Sequence, residues 1–478
     1  MKRLGCLFLF VFLTMKIFAV DTLYLSLDQV IERSKEFSLD ALVAQNSYLA
    51  SYWQFRSYKA GMLPQIGISA TLPYYSKSYN QFQDSEGNYS YISNYYSSIA
   101  TELFISQHIP FTGGRISLET SFQQLRQFGS NGYRSFVVVP AAIRIEQPLF
   151  AYNPFKWSRK VEPLKYQEAQ RQLTANMEQV SLQAIQHYFD LLLCEINADI
   201  ARQNLLNTEK IYTVATAKHA IGQFPENDLM GLKVSLLNAE IALANTESSV
   251  KAKMMQLCSF LGYGDDVYIK VEIPNHFPYD NDPLDYKVVL QKALENSAFT
   301  LQIQREMIES EALVRQAKTS RWSANLFVSL GFSGVDEQLA TALNHEHWRD
   351  NQIVNLGLSI PILDWGKGKG KVKMAEANRE IVEASLTKEQ QEFDQNVYMI
   401  VQLFNDQFKQ LELAKMTDEI ARKRYAINVE TYLLGKTDML NLNDAQLSKD
   451  EARRNYVEHV YRLWSYYYRI RALTLCEI

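Results

Sequence analysis

The sequence predicts an α+β membrane fold, in which a closed β-barrel is continued by long coiled-coil-like helical hairpins and the whole is laid out as a two-fold internal repeat. Three observations predict it. Short stretches alternate between apolar and small or polar residues, as strands around a water-filled lumen do. Two stretches of some 65 residues carry apolar side chains at steps of three and four. The order of strand, proline, hinge, long helix and glycine turn occurs twice, with the turn glycines Gly222 and Gly435 about 213 residues apart.

Composition narrows the setting. The 478 residues carry 49 Lys+Arg against 53 Asp+Glu, so no basic surplus recommends nucleic acid. Met1-Lys2-Arg3, the apolar run Leu4 to Met15 and then Ile17-Phe18-Ala19 have the layout of a secretory signal, with cleavage expected after Ala19 and residues 1–19 removed. Cys6 has no apolar run before it and is not read as a lipoprotein cysteine. No later segment offers the ~18 uninterrupted apolar residues of a spanning helix. An exported chain of this kind can enter a membrane only as a closed barrel. Cys194, Cys258 and Cys476 each fall in helix-period apolar sequence and are read as buried hydrophobes, neither bridged nor metal-ligating.

The elements follow in order, with a first repeat over 20–262, a linker at 263–282 and a second repeat over 283–478. Ser26 with Gln29 forms a capping box that opens a helix expected to reach Gly61. Asp282-Pro283 is expected to cap the matching helix, ending near Ser320; Lys59 and Lys318 lie 259 apart. Strand alternation is clear in Ile66, Ile68, Ala70 and Leu72, and in Ala141, Ile143 and Ile145 with Arg144 and Glu146 on the opposite face. It recurs in Leu326, Val328, Leu330 and Phe332, and in Val354, Leu356, Leu358 and Ile360. Charges facing lipid are costly, so the apolar faces point outward. Tyr74, Tyr75, Tyr79, Tyr89, Tyr91, Tyr95 and Tyr96 crowd the strand ends as an interfacial girdle does.

The first repeat holds about 46 more residues between helix and hinge than the second, and Ile99 to Phe122 around Phe111-Thr112-Gly113-Gly114 reads as an additional hairpin. That makes six strand-like stretches, four in the first repeat and two in the second. Pro148, Pro361 and Gly366 mark the hinges, where glycine permits the change of direction. Rods near 157–221 and 368–434 would each reach ~95–100 Å at 1.5 Å per residue. Each turns at its glycine into a helix returning to about Leu261 or Leu473.

This order resembles the TolC family of outer-membrane efflux proteins, also called outer membrane factors. The residues that carry the resemblance are Ala60-Gly61-Met62-Leu63-Pro64-Gln65-Ile66, Gln147-Pro148-Leu149-Phe150, Pro361-Ile362-Leu363-Asp364-Trp365-Gly366-Lys367, and Leu434-Gly435-Lys436-Thr437 through Leu442-Asn443-Asp444-Ala445-Gln446. The resemblance implies a homotrimer in a Gram-negative bacterium, with one shared barrel among outer-membrane lipid and one helical tunnel through the periplasm. It implies docking by the tips, at Gly222, Gly435 and Lys436, to a periplasmic membrane-fusion adaptor and an inner-membrane transporter, so that the chain serves as a passive exit duct for efflux or type I secretion. The family's barrel takes four strands per chain, so the additional hairpin between about Ile99 and Phe122 makes either a larger barrel or an extracellular or periplasmic decoration, with decoration the favoured expectation. Its narrow acidic constriction uses carboxylates six and nine residues after the second turn glycine, and these positions are Asn441 and Asp444 here. The first repeat has Asp228 and Gly231 at the same offsets, which leaves Asp444 as the principal constriction residue.

Other motifs point to structure. Gly366-Lys367-Gly368-Lys369-Gly370-Lys371 lacks the spacing of a phosphate loop, and its lysines, with Lys373, suit anionic headgroups. His345-Glu346-His347 lacks the ligand count of a metal site, and His187 reads as a packed histidine. No catalytic or cofactor motif stands out, so neither enzyme activity nor a cofactor is expected. A periplasmic coiled-coil scaffold or adaptor without a pore is the alternative, and it would conduct no ions.

Overall fold

The computed structural model describes residues 22–129, 132–264, 267–274, 276–279, 282–434 and 436–476. The expected signal at 1–19 and the tip glycine Gly435 lie outside the described residues. In chain order the elements are β1 (Thr22–Leu25), α1 (Leu27–Phe37), α2 (Leu39–Gly61), β2 (Gln65–Gln83), β3 (Tyr89–Ile109), β4 (Gly114–Gln127), β5 (Arg134–Leu149), α3 (Pro154–Ala220), α4 (Glu226–Phe260), β6 (Tyr268–Val271), α5 (Tyr286–Asn296), α6 (Ala298–Thr319), β7 (Ser323–Asp336), α7 (Leu339–Leu343), β8 (Arg349–Ser359), α8 (Lys367–Leu433) and α9 (Met439–Thr474). The chain divides into two compact units, each drawn from several separate stretches.

One unit takes residues up to 46, 173–296 and those from 394 on, and is mostly helical. Its core is the seam expected in α3, with Val180, Ala184, Tyr188 and Leu191 buried, together with Val397, Ile400 and Phe404 of α8. Phe277 adds an aromatic plug, edge-on to Trp464 at 5.2 Å and Tyr467 at 5.4 Å. Each fully buried side chain of this size contributes ~1.5–3 kcal/mol over leaving it in water. Glu178 is buried between two cations, Lys35 at 3.1 Å and Arg471 at 3.3 Å. A small parallel sheet pairs β1 with β6 from Thr22↔Tyr268 to Leu25↔Val271; strands of four residues are too short to show a period.

The capping box at Ser26 is present in both directions, Gln29 N donating to Ser26 Oγ and Ser26 N to Gln29 Oε1. The single helix expected from there to Gly61 is instead two. Ser38 adopts an extended conformation and its hydroxyl accepts from Ala41 N, which ends α1 and starts α2. The matching helix is corrected twice: it starts at Tyr286, with Asp285 rather than Asp282 accepting from Lys287 N, and it breaks at Ser297 before ending at Thr319. Ser38 and Ser297 are separated by the same 259 residues as Lys59 and Lys318. Cys258 is buried as expected and Cys194 half-buried, but Cys476 is exposed, because α9 ends two residues before it.

The other unit takes 47–172 and 297–393 and carries one six-stranded sheet in the order β2-β3-β4-β5-β7-β8. Every neighbouring pair is antiparallel. The hairpin expected as a decoration is β3–β4 and lies inside this sheet: β3 pairs with β4 without interruption from Tyr96↔Gln127 to Ile109↔Gly114, and β4 pairs on with β5. Its turn is fastened at the base, where Asn153 Nδ2 donates to the carbonyls of Pro110 and Phe111. Helical residues complete the unit. Phe55 stacks on Tyr166 at 4.8 Å, Phe299 on Phe393 at 4.7 Å, and Arg305 grips Glu168 at 2.7 Å. Pro163 sits inside α3, an interruption the long rod tolerates.

Cross-strand register puts one apolar row straight across the sheet: Ile66, Ile105, Leu118, Ile143 and Leu330 are successive partners, and all are exposed. On β8, Val354, Leu356 and Leu358 are exposed as well. The opposite face holds Arg144 with Glu119 at 2.8 Å and Arg115 with Glu146 at 2.9 Å. Apolar side chains on one face and ion pairs on the other are what the alternation of 141–146 predicts.

Candidate constriction at the helical tip and the two hinges

Both glycine turns end in one apolar cluster of the helical unit. Ile211 and Ala215 of α3, Leu232 of α4, Tyr425 of α8, and Leu442 and Ala445 of α9 are buried together, flanked by Phe224, Tyr432 and Met439. The two turns close alike, each by a backbone bond five residues back: Gln223 N to Lys218 O and Lys436 N to Thr431 O, both 2.9 Å. Gly222 has φ +74°, a left-handed conformation that ends a helix and strains any residue with a Cβ. Asp438 caps α9 by accepting from Asn441 N at 2.9 Å.

The candidate constriction residues Asp228, Asn441 and Asp444 all fall on this end, and all are exposed. Asp228 sits in the first turn of α4, where the helix dipole favours an acid. It also lies near enough to Tyr432 that burial first, and the Asp228 charge second, raise that phenol's pKa. Asp444 is not alone: Arg424 Nη2 of α8 donates to its carboxylate at 2.5 Å, and Arg424 Nη1 reaches Ser448 Oγ at 3.4 Å. Sequence reasoning missed Arg424, which is 20 residues away on the opposing helix and belongs to no motif.

Two further ion clusters lie in these helices. Asp418 is buried and receives both Arg422 and Arg453. Asp450 is buried, with Lys449 Nζ at 3.0 Å and Asn204 Nδ2 at 2.8 Å, and Lys449 lies over the Tyr425 ring at 4.4 Å. Arg422 and Lys449 are close in sequence to their acids, but Arg453 and Asn204 come from other helices, and their spacing gave no signal. In the same unit Glu195 has its carboxyl pushed up to about 7, chiefly by burial, against the opposing pull of the Val271 amide and Lys270. His187 packs on Phe260 at 4.8 Å, and burial lowers its pKa.

The hinges belong to the sheet unit. Pro148 is still within β5, opposite Asn325, and Pro361 lies just past β8. Beyond each, one bulky residue turns left-handed, Phe150 at φ +61° and Trp365 at φ +51°, the latter followed by Gly366 at +85°. A side chain then caps each long helix. Asn153 Oδ1 accepts from Phe155 N at 3.0 Å and Lys156 N at 3.3 Å, and Asp364 accepts from Gly366 N at 3.0 Å and Gly368 N at 2.8 Å, which holds its carboxyl below the usual range. The nearby lysines are partly committed, Lys373 pairing with Glu376 at 3.3 Å alongside Lys318 at 3.0 Å. His345-Glu346-His347 forms a single 3-10 turn, and no group of metal-ligating side chains occurs among the described residues.

Residues 289–474 match the family model described as "Outer membrane efflux protein". No curated protein sequence matches the chain. Solved structures do. The CmeC outer membrane channel of Campylobacter jejuni has 14% identity and a TM-score of 0.65, over 94% of this chain and 85% of that one. The outer membrane protein VceC of Vibrio cholerae has 14% identity and a TM-score of 0.65, over 94% and 96%. The open-state MtrE outer membrane channel of Neisseria gonorrhoeae has 13% identity and a TM-score of 0.60, over 94% and 88%. At these identities the likeness is one of fold.

Proposed function

Because residues 289–474 match the model of the outer membrane efflux protein family, we propose that this chain is a passive outer-membrane channel of a Gram-negative bacterium, built from three copies. The observation that carries this reading is the six-stranded sheet, with apolar side chains exposed on one face and paired charges on the other. An apolar face of this kind is satisfied by lipid, and a polar face by a wet lumen. The sheet leaves β2 and β8 as unpaired edges, which hydrocarbon does not tolerate, so further copies must close it.

The helices come in matched pairs. α3 and α8 have 67 residues each, and α4 and α9 have 35 and 36, which supports a duplicated hairpin in each chain. Their tips, at Gly222 and Lys436, are the surfaces for a periplasmic membrane-fusion adaptor and, through it, an inner-membrane transporter that supplies the energy. Asp444, ringed threefold, forms the cation-favouring constriction, and Asp228 and Asn441 line it. The test is planar-bilayer recording of the purified protein. Discrete cation-selective conductance supports a channel; its absence leaves the scaffold.

A further inference from the structure

We infer that three copies close into an eighteen-stranded barrel, in which the β8 edge of one copy pairs with the β2 edge of the next and the β3–β4 hairpin is part of the wall. This rests on the channel reading above. The sheet holds six strands per chain, and strand direction alternates across it. The two free edges therefore run in opposite senses, so a ring of copies closes antiparallel throughout. Six strands alone fall short of the ~8 that close around side chains.

The hairpin carries the credentials of wall and not ornament. On β3 and β4, Ile105 and Leu118 occupy the middle of the exposed apolar row that runs from Ile66 to Leu330. Glu119 and Arg115, also on β4, make the two ion pairs of the opposite face. A segment standing in water would have no reason to keep both the lipid face and the lumen face in register with its neighbours. Barrel diameter grows roughly linearly with strand number, so eighteen strands give a bore about 1.5 times that of twelve, in the range of barrels that enclose an open aqueous channel. The membrane section is then no sieve for small solutes. Cargo size is set at the helical tip.

Spin labels test the wall. In a background with Cys194→Ala, Cys258→Ala and Cys476→Ser, nitroxides are placed at Leu103→Cys and Leu118→Cys, with Leu356→Cys as reference and Glu102→Cys for the opposite face, in phosphatidylcholine vesicles. Expected is preferential collision with oxygen at 103, 118 and 356, and with a water-soluble nickel chelate at 102. Disulfide trapping tests the ring: Ala70→Cys on β2, combined in turn with cysteines at 353–358 on β8, should give a ladder that stops at three chains. Chelate-accessible labels at both 103 and 118, or trapping only within one chain, overturn the eighteen-stranded barrel. If the unmodified protein still conducts in that case, the channel reading stands; if it does not conduct, that reading falls first.

Discussion

Arg424 donates to the Asp444 carboxylate at 2.5 Å, from α8 to α9, at the tip where the constriction is proposed. Both side chains are exposed, so the pair adds at most ~1 kcal/mol to stability and acts mainly on the pore's field. Asp444→Ala should lower the cation-to-anion permeability ratio roughly twofold or more and weaken divalent block, whereas Arg424→Ala should move both the other way. Single-channel reversal potentials check this. Identical selectivity in all three proteins would rule out a charged ring at this position.

Glu195 gives the helical unit a pH dependence. Its folded pKa, about 7, lies above the ordinary 4.5, so the native state binds the proton more tightly than the unfolded chain. The associated stability is complete below about pH 4.5 and is lost as pH rises through 7. With discount for partial exposure the loss is on the order of 1–2 kcal/mol. Thermal melts from pH 5 to 8 should show the decline in the native protein, and Glu195→Gln should flatten that component; a slope unchanged by the substitution contradicts the assignment.

Removing Glu178 leaves Lys35 and Arg471 facing each other across a vacated site. Loss of one member of a buried ion cluster costs ~3–5 kcal/mol, and the partial exposure of both cations brings the expected figure to about 2–3 kcal/mol. Denaturant midpoints followed by tryptophan fluorescence measure it for Glu178→Ala. A change below 1 kcal/mol means that water already screens the cluster.

Gly222→Val places a β-branched residue at φ +74°. The penalty, about 1–2 kcal/mol, is local to the first tip. Cleavage by a protease of broad specificity should therefore accelerate between His219 and Pro225 while global melting shifts little. Cleavage at the native rate would show that the turn adopts another conformation.

Much of this architecture was legible because periodicity reports which face is covered. The α3 seam from Val180 to Leu191, the outward rows of β7 and β8 and the capping box at Ser26 are all local patterns. What stayed hidden is settled by partners distant in the chain. Arg424 on Asp444, Asn204 on Asp450 and the parallel pairing of Thr22 with Tyr268 have no local signature. The breaks at Ser38 and Ser297 were masked because both flanks remain helix-periodic. The location of β3–β4 turned on a partner strand, β5, and alternation reveals a face without naming the neighbour.

Pairing of β5 with β7 sets Leu149 against Ala324, with all of α3 and α4 strung between them. The helical unit likewise needs its first residues to wait for its last, since Lys35 of α1 and Arg471 of α9 share the buried carboxylate of Glu178. The helical body cannot finish until the last helix is made, whereas the sheet body needs residues only up to 393. Non-local closure of this kind is slow and exposes greasy edges meanwhile. The first four strands thus stand with β5 as an open edge until the fifth and sixth arrive, and truncation from the C-terminus as far as residue 394 should damage the helical body before it removes any residue of the sheet body.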